Sequence, residues 1–490
     1  MKTKRLLSSI LFSIASLLCF AQHLESLPLF EMQDLQYKGA FRISSDVFGV
    51  SSMNYAQGPI AYNKLNNSIF IVSHSHEQAI AEFAIPPLVI SDELSDLNMA
   101  TDPIQEFAQV LNRTSDGNPQ NLNRIGGLYH YVDQAGEKLI VNAYEYYDAP
   151  GDNTLTTLVL DNAIDIANSS VRGYYQFNGG AGHTSGWISS IPLEWQEAIG
   201  SEFITGQSSG IPIISRTSVG PSAFAFSMDD LLTTTNEIAT ETLLDFSLSN
   251  ALNTDLSNES GTNDIWTHLS RAAFGFIVPG TRTYATFGYS GGHVSGVCYK
   301  CTQNDGNLCG GYCAPDASDV YQYYWLWDIN DLMKVKSGEI NAYDVLPYDY
   351  GEFSTPFENA LHEIGGGSFD ADTGNLYLTV QRADNEQGQY RNPPVVLVYS
   401  TNLISSVDAY LTDTDITILP NPTSDVFEIR GLLGDYIIEV LDSAGSRHAL
   451  YATAATKLDI NLADLPVGMY FISIRNSSNA NLEVRKIIKQ

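Results

Sequence analysis

The sequence predicts an all-β protein, a seven-bladed β-propeller followed by a small C-terminal β-sandwich. Three observations predict it. Short apolar runs alternate with polar residues at period two and are separated by Gly, Asn and Asp turns, which is strand-and-hairpin patterning. One phrase recurs along the body: a small-residue step, a strand, a polar turn and a second strand. Composition agrees, because only 17% of residues are charged while the chain carries 38 Gly and 27 Tyr. With 44% apolar residues in 490, there is ample material for a packed core, which excludes a disordered chain. The formal charge of −31 argues against a general nucleic-acid binder, since phosphate binding rests on Lys and Arg.

The chain opens with Lys2, Lys4 and Arg5, an apolar run from Leu6 to Phe20, and Cys19-Phe20-Ala21. This is a signal peptide over residues 1–21, cleaved after Ala21 and too short in its apolar run to be a membrane span. Four cysteines then remain in the mature chain, all between Cys298 and Cys313.

The body, residues 22–404, carries the phrase four times. Gln57-Gly58-Pro59 leads through Lys64-Leu65-Asn66-Asn67 into Ser68–Ser73. Arg124-Ile125-Gly126-Gly127 leads through Asp133–Gly136 into Lys138–Ala143. Arg271-Ala272-Ala273 leads through Pro279-Gly280 into Thr283–Gly288, and Glu363-Ile364-Gly365-Gly366 leads through Asp370–Gly374 into Leu376–Val380. Several units add a further strand: Thr157–Asp161, Ala223–Asp229, Tyr324–Asp328 and Val395–Ser400. Strand pairs with outer strands, repeated, are the mark of propeller blades, and about 380 residues at roughly 45–55 per blade predicts seven. A jelly-roll or double sandwich is the rival architecture.

In a propeller the innermost strands start around a common centre, so Gln57, Arg124, Arg271 and Glu363 fall on one ring. The second strands return toward loops holding His74, His76, Tyr144, Arg216, Tyr289, His293 and Arg382. Arginines gathered at one opening of an acidic body predict an anionic ligand, since guanidinium takes carboxylate and sulfate bidentately. Interblade ion pairs are the alternative use of such arginines. Tyr and His nearby supply what β-elimination of a uronate polysaccharide needs: a cation on the carboxylate, a base for C5–H and an acid for the leaving oxygen. The expected catalytic set is His183, His130, Tyr144 and Arg216. The expected substrate contacts are Arg124, Arg271, Arg382, His74 and Trp187, with His183 in a glycine-rich stretch and Trp187 either a sugar-stacking platform or, as is commoner for propeller aromatics, interblade packing.

Cys298-x2-Cys301-x7-Cys309-x3-Cys313, with His293 upstream, reads either as one structural zinc site or as two disulfides. In both cases the role is structural, and the chemistry requires no cofactor.

Residues 405–415 turn to Ser, Thr and Asp and read as a linker. From residue 416 the pattern changes to Pro420-Asn421-Pro422-Thr423, Asp442-Ser443-Ala444-Gly445, Gly468-Met469-Tyr470 and Lys486-Ile487-Ile488-Lys489. Residues 416–490 resemble the type A C-terminal sorting domain of the Bacteroidetes type IX secretion system. The resemblance implies export through the outer membrane by that machinery, removal of the domain, and a cargo released or attached at the cell surface.

The body is also similar to secreted bacterial propeller proteins through Tyr144–Asp148, Gly186–Gln196, Ile213–Ser218 and Tyr324–Leu332. In architecture and residue types it resembles the ulvan-type polysaccharide lyases, whose catalytic sets combine His, Tyr and Arg and whose loops can hold structural zinc. The expectation is therefore a secreted lyase acting on an acidic polysaccharide, with no nucleic-acid partner and no transmembrane segment. A non-catalytic propeller binding glycan or protein at the cell surface is the competing expectation, and a glycoside hydrolase a third.

Overall fold

The computed structural model describes residues 24–489 except 134, 209–213, 235–236, 358–360, 402–415, 431, 433–435, 443–446, 454–456, 464 and 477–481. The leader at 1–21 and the linker at 405–415 lie outside the described residues. The chain divides into two compact units, residues 1–403 and 404–490. Among the described residues no helix is long and apolar enough to cross a membrane.

Among the described residues the first unit holds, besides a two-stranded ribbon of Cys298–Tyr299 with Tyr312–Cys313, five antiparallel sheets of four principal strands each. Their first strands are Ile60–Asn63, Arg124–Asp133, Ile188–Ser190, Arg271–Val278 and Ile364–Asp370. Each of these packs beside the next, and the last packs beside the first, so they ring a common centre. Among the described residues five sheets of four principal strands stand where seven units are expected. Long loops such as 245–270 and 292–319 stretch each unit beyond the length assumed. Four of the five sheets begin at the phrases read in the sequence, and the further strands read there are the third strands of the second to fifth sheets. The third sheet escaped because its first two strands, Ile188–Ser190 and Phe203–Thr205, are three residues each.

The glycine steps have a steric cause. A Cβ on Gly126 or Gly127 would strike the backbone at Ser185–Gly186, and one on Gly365 or Gly366 would strike Gln57–Gly58. Neighbouring first strands approach there at backbone contact, which only glycine allows. Outside this ring, apolar side chains fill the gaps between sheets. Trp187, Trp195, Trp266, Trp325 and Trp327 are all buried. Trp187 Nε1 donates to Tyr284 Oη at 3.0 Å and Trp195 Nε1 to the Thr281 carbonyl at 2.8 Å, joining the third unit to the fourth.

The fifth sheet takes its outer strand, Leu35–Ile43, from the start of the chain. It pairs antiparallel with Val395–Thr401, from Leu35 opposite Thr401 to Arg42 opposite Val395. A bidentate ion pair fastens this closure: Arg42 Nε and Nη2 donate to Asp384 Oδ2 and Oδ1 at 2.7 and 2.8 Å, with both residues buried. The hydrogen bonds to Asp384 raise the Arg42 pKa above its ordinary value despite burial.

The second unit has a three-stranded sheet (Thr417–Leu419, Val426–Arg430, Lys457–Asn461) and a four-stranded one (Arg447–Thr453, Tyr436–Asp442, Gly468–Asn476, Leu482–Lys489). They share an apolar core that includes Phe427, Ile438, Ile460, Ile472 and Ile487. Lys489 is buried, and its ammonium donates to the carbonyls of Leu462, Ala463 and Leu465 and pairs with Asp425 at 3.2 Å. Those partners satisfy a charge that burial would otherwise penalise.

Denaturant titration of three variants checks these contacts. Gly365→Ala is expected to lower the unfolding free energy by about 1–3 kcal/mol in denaturant titration. Gly310→Ala, which meets nothing within 4 Å, should leave it unchanged. Asp384→Ala strips the bidentate carboxylate from a buried guanidinium, leaving it with Glu386 at 3.1 Å and the Leu94 carbonyl, and is expected to cost about 3–5 kcal/mol. A loss below 1 kcal/mol would show that the closure does not depend on this pair.

Candidate functional site

The register of two hairpins brings a charged cluster to the end of the ring where the first strands begin. Arg124 lies opposite Tyr144 in the second sheet, and Arg271 opposite Tyr289 in the fourth. Arg271 Nη2 donates to Tyr144 Oη at 3.3 Å, spanning from the fourth sheet to the second. Arg271 also faces Tyr289, its cross-strand neighbour, and the half-buried Glu363 carboxylate at the start of the fifth sheet faces both Arg271 and Arg382. Arg271 and Tyr289 keep part of their surface open although protein surrounds them, as side chains facing a central opening would.

Electrostatics follow from this enclosure. Burial works against the Arg271 charge, yet the facing Tyr144 and Tyr289 hold its pKa above the ordinary value. Burial pushes Tyr289 up to about 12, with Arg271 pulling the other way. Burial also raises Glu363 above the usual carboxylate range, opposed by Arg382 and Arg271. Two guanidinium groups against one carboxylate leave the cluster positive in an acidic body.

Of the residues expected from sequence, Tyr144, Arg271 and Arg382 belong to this cluster. Arg382 adopts φ +54° and sits 6.0 Å over the Tyr55 ring, against which His74 packs edge-on at 5.6 Å. His74 itself is paired with Glu77 at 2.7 Å. Arg124 stays on the rim, 5.0 Å over the Tyr146 ring and donating to the Asn123 carbonyl. Arg216 lines a small cleft of about 30 Å³ together with Tyr144, and its Nη2 donates to the Ala149 carbonyl at 2.7 Å.

The remaining expected residues are placed elsewhere. His183 sits on the short helix Ala181–Thr184 and is bound to Asp245 at 2.6 Å. His130 lies toward the far end of the strand that starts at Arg124. It is buried, paired with Glu137 at 3.0 Å, and its pKa is lowered by burial. There it helps line a second opening with Tyr62, Tyr129, Tyr131, Ser190, Asp370 and Asp372. Trp187 is buried between sheets with its indole N–H bonded to Tyr284, so it is a core residue and not a stacking platform. The cysteines are joined as Cys298–Cys301 and Cys309–Cys313. His293 does not turn toward them: Nδ1 bonds the Asn263 carbonyl at 2.9 Å and Nε2 bonds Ser290 Oγ at 2.8 Å.

Glu363 and Tyr289 were legible as ring and loop positions but carried no assigned role. Only the cross-ring contact of Arg271 shows what they do. Ser185 and Gln207, which also line the cleft beside Tyr144, had no signal in the sequence.

No curated protein matches the chain. Among solved structures it is similar to PorZ, an essential bacterial surface component of the type-IX secretion system of Porphyromonas gingivalis, at 13% identity and a TM-score of 0.28. The match covers 91% of this chain and 53% of PorZ, so the chain spans about half the length of that protein. Residues 417–490 match the family described as the secretion system C-terminal sorting domain. The chain is therefore a type IX secretion cargo, carried by its C-terminal sorting domain to the cell surface or the extracellular space.

Proposed function

We propose that residues 24–401 form a five-bladed β-propeller that, once exported, binds an acidic polysaccharide at the opening carrying Arg271. The observation behind this reading is the enclosed Arg271 guanidinium between two phenols, in a cluster with one carboxylate and a second guanidinium. Carboxylate and sulfate are the groups that such a cluster attracts and orients. After export, removal of the sorting domain would leave this body either released or attached at the surface.

The contact between Arg271 and Tyr144 favours a second reading, β-elimination of a uronate chain. Arg271 would neutralise the uronate carboxylate and so acidify C5–H. Tyr144 would act as the base that takes that proton while the C4–O bond breaks and a C4–C5 double bond forms. Tyr289, kept a phenol by its raised pKa, would protonate the leaving oxygen. The proton-transfer roles thus pass from His183 and His130 to the tyrosines.

The purified mature chain, titrated calorimetrically with a panel of uronate polysaccharides, tests both readings. Arg271→Met and Arg382→Gln are each expected to weaken binding about tenfold or more, the value of a charge-assisted hydrogen bond. Affinity should rise as pH falls from about 7 toward the carboxylate range. Glu363 protonates above that range, so the cluster becomes more positive there, and Glu363→Gln should flatten the dependence. Ultraviolet absorbance of an unsaturated uronate, appearing in the same mixtures, would establish elimination. Binding with a flat trace leaves a binding module, and no binding by the folded chain across the panel overturns the proposal.

Zinc is a separate proposal for the cysteine loop. Zinc takes thiolates, which the paired sulfurs are not, but a reduced loop fits. Cys298, Cys301 and Cys313 offer sulfurs within 4.8 Å of one another, with Cys301 and Cys313 3.5 Å apart and Cys298 and Cys313 3.9 Å apart. Tetrahedral zinc sets its sulfurs about 3.8 Å apart. Mild reduction by a dithiol is expected to let the folded body retain about one zinc per chain through gel filtration, against none when oxidised. Failure of the reduced form to retain zinc leaves a loop stapled by disulfides alone.

A further inference from the structure

We infer that the cleft beside the Arg271 cluster is a second subsite for the same glycan, taking the acidic group of the adjoining sugar through Ser185, Gln207 and Arg216. The inference rests on the acidic-polysaccharide reading above. Tyr144 lines this cleft while its hydroxyl meets Arg271, so a single side chain separates the two places. The cleft's enclosed space is about 30 Å³, room for one small acidic group at its floor with the sugar ring left at the mouth.

Its polar lining is incomplete. Ser185 is fully buried and Gln207 is 3% exposed, yet Ser185 Oγ and Gln207 Nε2 have no partner within the protein. Arg216 Nε, in the same cleft, is likewise buried and unpartnered. Buried donors are nearly always satisfied, and all three of these atoms can donate, so what they lack is a set of acceptor oxygens. A carboxylate or sulfate supplies those oxygens and the negative charge that Arg216 favours.

The surroundings hold the donors in place. Arg216 is anchored by Nη2 to Ala149, and a Cβ on Gly151 would strike its guanidinium, so the loop crosses it at close range. Glu145 and Asp148 also line the cleft, oriented by bonds from Asn153 Nδ2 and the Gly151 amide, both at 2.8 Å. Carboxylates there suit the hydroxyls of a sugar ring.

Uronate oligosaccharides of increasing length, titrated into the mature chain, test the assignment. Affinity is expected to rise about tenfold once the chain is long enough to pass Tyr144. Gln207→Leu and Arg216→Gln should each remove that rise while leaving the affinity for the monomeric uronate unchanged. Gln207→Leu should also keep or raise the melting temperature of the unliganded protein, which a residue with a merely structural role would lower. Monomer binding without a length effect, or a length effect that survives both substitutions, overturns the subsite alone. Absence of all uronate binding overturns the polysaccharide reading and the subsite with it.

Discussion

The first unit depends on closing a ring of five sheets with a strand from the opposite end of the chain. Four sheets take their principal strands from one stretch of chain each, in chain order, but the fifth is incomplete until Leu35–Ile43 adds to Val395–Thr401. That strand contributes a full antiparallel ladder and places Arg42 against Asp384, a residue more than three hundred positions away. Loop-closure entropy opposes such a pairing, and the buried, bidentate geometry supplies the directional gain that holds it. An open ring would expose the edges of its terminal sheets and leave the central residues without a surround.

The consequence of closure is a centre where backbones touch and charges can be enclosed. Glycines at 126–127 and 365–366 let neighbouring first strands approach, which narrows the ring. The strand ends then bring Arg271 to Tyr144, and Glu363 to Arg271 and Arg382, although these groups come from three different sheets. Low-dielectric surroundings strengthen each interaction and make any mismatch costly. A cluster with excess positive charge is thereby kept inside a body whose surface is acidic.

The pairing of sequence and structure is uneven in an instructive way. An Ile-Gly-Gly step marks the first strands at 124 and 364, because the same close backbone approach operates at both. Arg271 and Tyr144 could be placed at one opening from their positions in the phrase. Sequence leaves Trp187 open between sugar stacking and interblade packing, and the structure gives its indole N–H to Tyr284 in the core. His183 and His130 were chosen by residue type, yet each is held by a carboxylate that sequence could not assign to it, Asp245 and Glu137.

By itself the sequence determined what depends on local pattern and on signals read as linear text. These are the all-β class, the hairpins with their turns, and the sorting domain at the C-terminus. Tertiary structure alone decided the number of sheets, the closure through Arg42 and Asp384, the pairing of the four cysteines, and the set of groups around Arg271. Strand periodicity and turn chemistry act over a few residues, so they are written in order along the chain. Sheet count and cluster membership arise from contacts between residues tens to hundreds of positions apart, where insertions in the long loops erase any fixed spacing.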